Sequence, residues 1–150
     1  MTDPHSLDAS QALDRLVDFF HQLTPESVNK LSTHYADDVF FKDPFNEVRG
    51  IAAVEAIFQH MFVQLDQPRF EVRERMVQGH QAFLTWDFIF RFRRFDTVTW
   101  QTVRGATHLQ FNDHGRVIMH RDYWDAAEEL YEKLPMVGGL MRWLKRRARS

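Results

Sequence analysis

The apolar residues in the first half of the chain recur every three or four positions, which is the spacing of helices with one buried face. Three helices are predicted, with apolar stripes that fall within residues 13–20, 28–35 and 54–65. Thr24 and Pro25 suit the N-cap and the first position of the second helix. The chain therefore begins with a layer of helices.

From residue 70 onwards apolar residues alternate with polar ones, which is the pattern of strands that bury one face. Turn residues divide this half into strands at residues 70–76, 82–93, 97–111 and 116–124. An earlier short strand is predicted at residues 39–42. Helices followed by a meander of strands indicate an α+β fold in one domain of residues 1–150, with residues 126–150 as a C-terminal helical extension.

Composition narrows the possible functions. The chain has 14 Phe and 4 Trp, so large flat side chains must fill a core, an interface or an apolar pocket. The absence of cysteine excludes thiolate chemistry, and a net charge of -2 gives no basic field for nucleic acid. The sequence pattern contains no glycine-rich phosphate loop, signal peptide or membrane span. We therefore expect a cytoplasmic protein with no cofactor and no nucleic-acid partner.

Asp43 stands at the end of the short strand, directly before Pro44. Apolar surroundings at such a position can desolvate a carboxylate and aim it into a cavity, where it can transfer protons. The alternative is that Asp43 and Pro44 only stop the strand and open a turn, as such dipeptides commonly do. The residues alone leave both interpretations open.

Three segments, in this order, resemble the nuclear transport factor 2-like superfamily and especially its ketosteroid isomerase and SnoaL-like branches. They are Tyr35-Ala-Asp-Asp with Lys42-Asp43-Pro44, the helix start Gly50-Ile-Ala-Ala-Val, and Phe111-Asn-Asp-His-Gly-Arg-Val with Tyr123-Trp124. The resemblance implies a cone in which three N-terminal helices pack on a strongly curved, mainly antiparallel sheet. An apolar pocket would lie between the helices and the sheet.

The resemblance to ketosteroid isomerases places Asp43 on the general base that moves a proton next to a carbonyl. The two acids that hold the enolate oxygen in that family correspond to Phe19 and Thr107, and a supporting tyrosine corresponds to Phe58. Phe19 cannot donate a hydrogen bond, and Thr107 is a weak donor. Because one strong donor in an oxyanion hole is worth about 3–4 kcal/mol, true steroid isomerisation is not expected.

Counting back from the turn at residues 112–115 pairs Thr107 with His120 and Val103 with Trp124. Alternate positions share a face, so Thr107, His120, Asp122 and Trp124 are predicted to lie on one side, facing the pocket. His120 and Asp122 would then form an acid/base pair. The alternative is a hydrogen-bonded histidine without catalytic duty. With one inward histidine expected, no metal site is predicted.

Asp87 lies within an apolar strand, where an unpaired carboxylate would be costly. A turn at Phe95 and Asp96 pairs Asp87 directly with Arg104 in an ion pair, whereas one bulge would move Arg104 to the opposite face. We favour the pocket, where Asp87 would be catalytic together with Asp43, His120 and Asp122. The expected pocket walls are Phe19, Tyr35, Phe58, Thr85, Val103, Thr107 and Trp124.

On that interpretation the opposite face of the same strand carries four aromatic side chains, Trp86, Phe88, Phe90 and Phe92. This is too much apolar area to leave in water. Because helices would cover the concave side, the aromatic stripe should meet either the C-terminal helix or a second copy of the chain. We favour a homodimer joined through this face, which the resemblance also implies.

The last residues combine Leu140, Trp143 and Leu144 with several arginines and a lysine. A short basic amphipathic helix of this kind could lie on an anionic membrane surface. We favour instead a final helix that packs on its own domain and keeps its cations in water.

Two functions fit these expectations. The first is a cofactor-free isomerase, cyclase, dehydratase or hydrolase that acts on a small apolar substrate through Asp43 and the pair of His120 and Asp122. The second is a non-catalytic binding protein for a lipid-like or polyketide-like molecule. A purely structural dimer fits less well, because it leaves the inward polar groups unexplained. We favour the enzyme.

Overall fold

The computed structural model describes residues 9–94, 96–129, 146 and 148. Its helices are α1 (Ala9–His21), a 3-10 helix (Pro25–Thr33), α2 (Ile51–Gln64) and the short α3 (Ala126–Glu129). Thr24 caps the 3-10 helix as predicted: its hydroxyl accepts from the backbone N of Ser27, and the Ser27 hydroxyl accepts from the backbone N of Thr24. This reciprocal pairing satisfies two backbone donors that the helix start leaves free.

Six strands form one curved sheet. In chain order they are β1 (Tyr35–Lys42), β2 (Glu47–Arg49), β3 (Leu65–Gln78), β4 (Gln81–Phe92), β5 (Gln101–Phe111) and β6 (Val117–Tyr123). Their spatial order is β2-β1-β6-β5-β4-β3. Every pair is antiparallel except β1 and β6, which run parallel. The predicted α+β cone, with helices on a mainly antiparallel curved sheet, is confirmed.

The core lies between the helices and one face of the sheet. Leu13, Leu16 and Val17 of α1 are almost completely buried, as the apolar stripe predicted. Tyr35, predicted as the last apolar position of the second helix, instead begins β1 and is fully buried there. This prediction was wrong because the 3-10 helix ends at Thr33, and the chain enters the sheet two residues later.

The face of β4 that meets the helices is the reverse of the one we favoured. Trp86 and Phe90 belong to the core, and Phe88 and Phe92 pack against it. Asp87 lies on the opposite face, directly across from Arg104, and no bulge interrupts the pairing of β4 with β5. The four aromatic side chains therefore do not form the outer stripe through which a dimer was predicted. The homodimer itself stays a prediction.

The predicted C-terminal extension is described only in part. Residues 130–145, which include Leu140, Trp143 and Leu144, lie outside the described residues, so the packing and membrane contact of this tail stay predictions. Within the part of the chain that is described, no helix combines the length and the apolar character needed to cross a membrane.

Candidate functional site

A small cavity lies between α1, α2 and the sheet. Its volume is about 40 Å³, which is more than one water molecule needs but far below the roughly 300–1,000 Å³ of typical ligand pockets. Its walls are almost entirely apolar. They are formed by Leu16, Val17, Phe20, Phe58, Phe70, Val72, Leu84, Trp86, Thr107, Leu109, His120 and Asp122.

One side of this cavity carries a connected set of polar side chains around Asp122. Oδ1 of Asp122 lies 2.8 Å from Nε2 of His120 and accepts a second hydrogen bond of 2.6 Å from the Thr107 hydroxyl. The indole Nε1 of Trp86 donates to Oγ1 of Thr107 over 2.7 Å. Three neighbouring strands thus fix one carboxylate, because Trp86, Thr107 and Asp122 belong to β4, β5 and β6.

Tyr35 completes the set from β1. Its hydroxyl lies 2.6 Å from Nδ1 of His120. Because the Asp122 carboxylate can only accept, we assign the ring hydrogen to Nε2, which makes Nδ1 the acceptor for the Tyr35 O–H. A ring protonated at both nitrogens would leave the buried Tyr35 hydrogen with no acceptor among the described residues, at a cost of about 1–3 kcal/mol.

The surroundings of Tyr35 stabilise its protonated form. Burial, and to a smaller extent the negative charge of Asp122, raise the pKa of the Tyr35 hydroxyl well above its ordinary value. The imidazole of His120 is also enclosed by aromatic rings, with the Phe41 ring centred 4.7 Å away. Tyr35 therefore serves as a stable hydrogen-bond donor to Nδ1 of His120.

The predicted polar cluster is present, although its register differs from the predicted one. Thr107 pairs with Asp122 and Leu109 with His120, two residues away from the predicted pairing of Thr107 with His120. One residue of the difference arises at the turn, where Phe111 pairs with Val117, and the second at an irregularity between Gln110 and Phe111. Because a shift of two preserves the face of every side chain, Thr107, His120 and Asp122 still point the same way.

Asp87 and Thr85 lie outside the cavity, on the opposite face of β4. The Asp87 carboxylate accepts two hydrogen bonds from Arg73 of β3, at 2.9 and 2.5 Å, and the Thr85 hydroxyl accepts from the backbone N of Glu74. The predicted pocket position of these two residues is wrong, because no bulge interrupts the pairing of β4 with β5 and both side chains lie on the face away from the cavity. Arg104, the other predicted partner of Asp87, pairs with Glu129 of α3 instead.

Asp43 organises a turn. Its Oδ1 accepts from the backbone N of Phe45 at 2.8 Å and of Asn46 at 2.7 Å, and the Asn46 side-chain amide also donates to it. Asp43 is not among the described residues that line the cavity. The structure therefore places it in the turn that the alternative interpretation described, and nothing in its geometry tests a catalytic role.

The other expected wall residues divide. Phe58 and Thr107 line the cavity, whereas the Phe19 ring lies 4.7 Å from that of His34 in a tilted contact. Its neighbour Phe20 lines the cavity instead. Val103 is buried in the core but does not reach the cavity. Trp124 follows the end of β6 and meets the ring of Phe45.

The main residue that sequence reasoning missed is Trp86. Its indole anchors Thr107, and yet Trp86 was assigned to the outer face. The direct pairing of Asp87 with Arg104 already contained the correct signal, since it also pairs Leu84 with Thr107 and so places Leu84 and Trp86 on the cavity face. The part of the chain that the structure describes contains no group of three or more His, Asp or Glu side chains suited to hold a metal ion.

The comparisons agree with this fold. Residues 16–120 match the model of the SnoaL-like domain family, so the chain belongs to that family. It has the nuclear transport factor 2-like fold, shared with solved structures of low sequence identity. No curated protein matches the chain.

Three of these structures show what kinds of protein share the fold. A nuclear transport factor 2-like protein of unknown function from Burkholderia pseudomallei has 17% identity and a TM-score of 0.69, over 81% of this chain and 94% of that one. An LEH-like epoxide hydrolase from M. tuberculosis has 14% identity and a TM-score of 0.66, over 98% and 100%. A protein from Jannaschia sp. CCS1, named as a SnoaL-like polyketide cyclase, has 16% identity and a TM-score of 0.68, over 85% and 92%.

Proposed function

We propose that this protein is a cofactor-free enzyme that carries out acid/base chemistry on a small, largely apolar molecule inside the cone. Asp122 takes up and returns the proton, and His120 and Thr107 hold its carboxylate in place. The observation that carries the proposal is a carboxylate at an otherwise apolar cavity, anchored through one oxygen by two side chains from neighbouring positions. Preorganised acids and bases of this kind contribute about 10²–10⁴-fold to a reaction rate.

The hydrogen bonds around Asp122 divide its two oxygens between two tasks. Oδ1 accepts from Thr107 and His120, while Oδ2 accepts no hydrogen bond from any other described residue. Oδ2 can therefore remove a proton from a bound molecule and then return it at another atom. Since one oxygen is anchored, the second is held in a defined direction, which lowers the entropic cost of the transfer.

The size of the cavity limits the substrate. The Phe20 ring lies 5.6 Å from the ring of Phe58 in a tilted contact and 5.7 Å from the ring of Phe70 in an edge contact, and all three rings line the cavity. A molecule much larger than the cavity can bind only if these rings rotate away. Small or flat apolar substrates are therefore favoured over steroid-sized ones.

The proposal can be tested with 5-nitrobenzisoxazole, a flat apolar probe. A base removes the proton on its ring carbon, the electron pair forms a nitrile as the N–O bond breaks, and a coloured phenolate is released. We expect saturable turnover by the wild-type chain and a loss of about 10²-fold or more in kcat/KM with Asp122→Asn. Asp113→Asn is the matched control, because the Asp113 side chain is 84% exposed in the β5–β6 turn.

Equal rates for the wild type and Asp122→Asn would exclude the catalytic role. The alternative function, a non-catalytic binding protein for an apolar ligand, is favoured by the almost wholly apolar wall. It predicts that Asp122→Asn retains the bound probe, whereas Val17→Phe, which fills the cavity from α1, abolishes binding.

A further inference from the structure

The donors around Asp122 are all used within the set itself. The Trp86 indole donates to Thr107, the Thr107 hydroxyl and the His120 Nε2–H donate to Asp122, and the Tyr35 hydroxyl donates to Nδ1 of His120. Together they are the side-chain donors that this set contains. A molecule in the cavity is therefore offered an acceptor and no free donor from these groups.

The charge at the site is negative. Among the described residues, the Asp122 carboxylate makes an ion-pair contact only with His120. It makes no ion-pair contact with a Lys or Arg of the described residues. Asp122 keeps 19% of its side chain exposed, so part of it can be reached. A partly buried carboxylate in this state is stabilised by a cation that donates a hydrogen bond.

The remaining walls suit a cation as well. The rings of Phe20, Phe58, Phe70 and Trp86 all line the cavity. The faces of aromatic rings attract ammonium groups, and the attraction increases where water is excluded. Alkyl groups on the same nitrogen would gain apolar contact with these rings and with the aliphatic walls.

We propose that the cavity is a binding site for a small protonated alkylamine, whose N–H donates to Asp122 while its alkyl groups contact the aromatic walls. This inference rests on the proposed function in that it uses the same cavity, and it names the ligand class. The volume of about 40 Å³ suits a compact ammonium better than an extended chain. The same donor inventory disfavours carboxylates, whose oxygens would find no free donor.

The test is a set of four probes of similar shape, titrated into the full chain and followed by the NMR signal of the Trp86 indole N–H. Trimethylammonium carries charge and a donor, tetramethylammonium carries charge alone, tert-butanol carries a donor alone, and trimethylacetate is an anion. The signal is assigned with Trp86→Phe. We expect trimethylammonium to bind about tenfold or more tightly than tert-butanol or tetramethylammonium, and trimethylacetate to cause no shift.

Asp122→Asn should raise the Kd of trimethylammonium about tenfold or more and leave that of tert-butanol nearly unchanged, and Asp113→Asn should change neither. Equal or tighter binding of trimethylacetate, or an indole signal that no amine moves, overturns the inference. If Asp122→Asn fails to fold, the relative affinities of the four probes for the wild type still test the inference. Amine binding without benzisoxazole turnover refutes the proposed catalysis alone, and turnover without an amine preference refutes the ligand class alone.

Discussion

Nε2 of His120 lies 2.8 Å from Oδ1 of Asp122, although the two residues are only two positions apart on one strand. Positions two apart on a strand share a face, so the backbone of β6 itself holds the pair. The partners that complete the set come from elsewhere: Tyr35 binds the far nitrogen of the imidazole, and Thr107 binds the carboxylate. Each of these contacts can be removed separately.

Tyr35→Phe removes the donor to Nδ1 of His120 and leaves that nitrogen buried without its partner. We expect a loss of about 1–3 kcal/mol in the free energy of unfolding, because a buried acceptor without a protein partner cannot hydrogen-bond to water either. Urea denaturation gives the stability, and imidazole ¹⁵N shifts report whether Nε2 still carries the hydrogen. Tyr123→Phe, at a tyrosine that is 46% exposed, is the matched control and should cost less than about 0.5 kcal/mol.

Alkaline pH should destabilise the protein through the same residue. Burial, followed by the charge of Asp122, raises the folded-state pKa of Tyr35 well above 10.0. The unfolded chain therefore releases this proton first, so the contribution of Tyr35 is fully present below pH 10 and is lost above it. The expected slope approaches about 1.4 kcal/mol per pH unit. The stability gap between wild type and Tyr35→Phe should narrow from pH 9.5 to 11.5, and parallel curves would contradict this.

Gly105→Ala tests the position of Trp86. A Cβ atom at Gly105 would lie 2.6 Å from Cζ2 of the Trp86 ring, so the ring must move. Movement would break the 2.7 Å hydrogen bond from the indole to Thr107. We expect a loss of about 1–3 kcal/mol and a changed near-UV circular dichroism spectrum. Ala106→Ser, at the next residue on the other face, should leave that spectrum unchanged; an unchanged spectrum in Gly105→Ala would refute the packing.

Asp43 provides the contrast with Asp122. Asp43→Ala removes the acceptor that binds the backbone of Phe45 and Asn46, and should cost about 1–2 kcal/mol of stability. Asp43→Asn keeps an oxygen in the same place and should cost less. Both variants should retain the benzisoxazole turnover proposed for Asp122. A folded Asp43→Ala protein that had lost turnover as completely as Asp122→Asn would support the catalytic role that the sequence suggested for Asp43.

The fold could be predicted well from the sequence, because each pattern on which the prediction relied is local. The cap at Thr24, the apolar stripe of α1 and the alternation in the strands depend on neighbours in the chain. The polar face of Thr107, His120 and Asp122 was also predictable, and it survived an error of two residues in the register because strand faces repeat with period two.

The orientation of Asp87 was predicted wrongly because it depends on long-range pairing. The partner of Asp87 depended on whether a bulge interrupts the pairing of β4 with β5, and no local pattern in residues 81–92 indicates this. The role of Asp43 depended on whether its oxygens face a cavity or the next turn, and the same Asp-Pro dipeptide serves both. The position of Tyr35 in the sheet also depends on long-range contacts, since its hydrogen-bond partner His120 lies 85 positions away in the chain.

The parallel pairing of β1 with β6 has a consequence for how the site forms. Tyr35 of β1 and His120 of β6 come into contact only when these two strands pair. This pairing closes a loop of the chain that contains most of the domain. Closing such a loop is entropically costly and slow compared with forming a helix or a hairpin. During synthesis the site cannot exist until residue 122 has left the ribosome. We therefore expect the Tyr35–His120 contact to form late in folding.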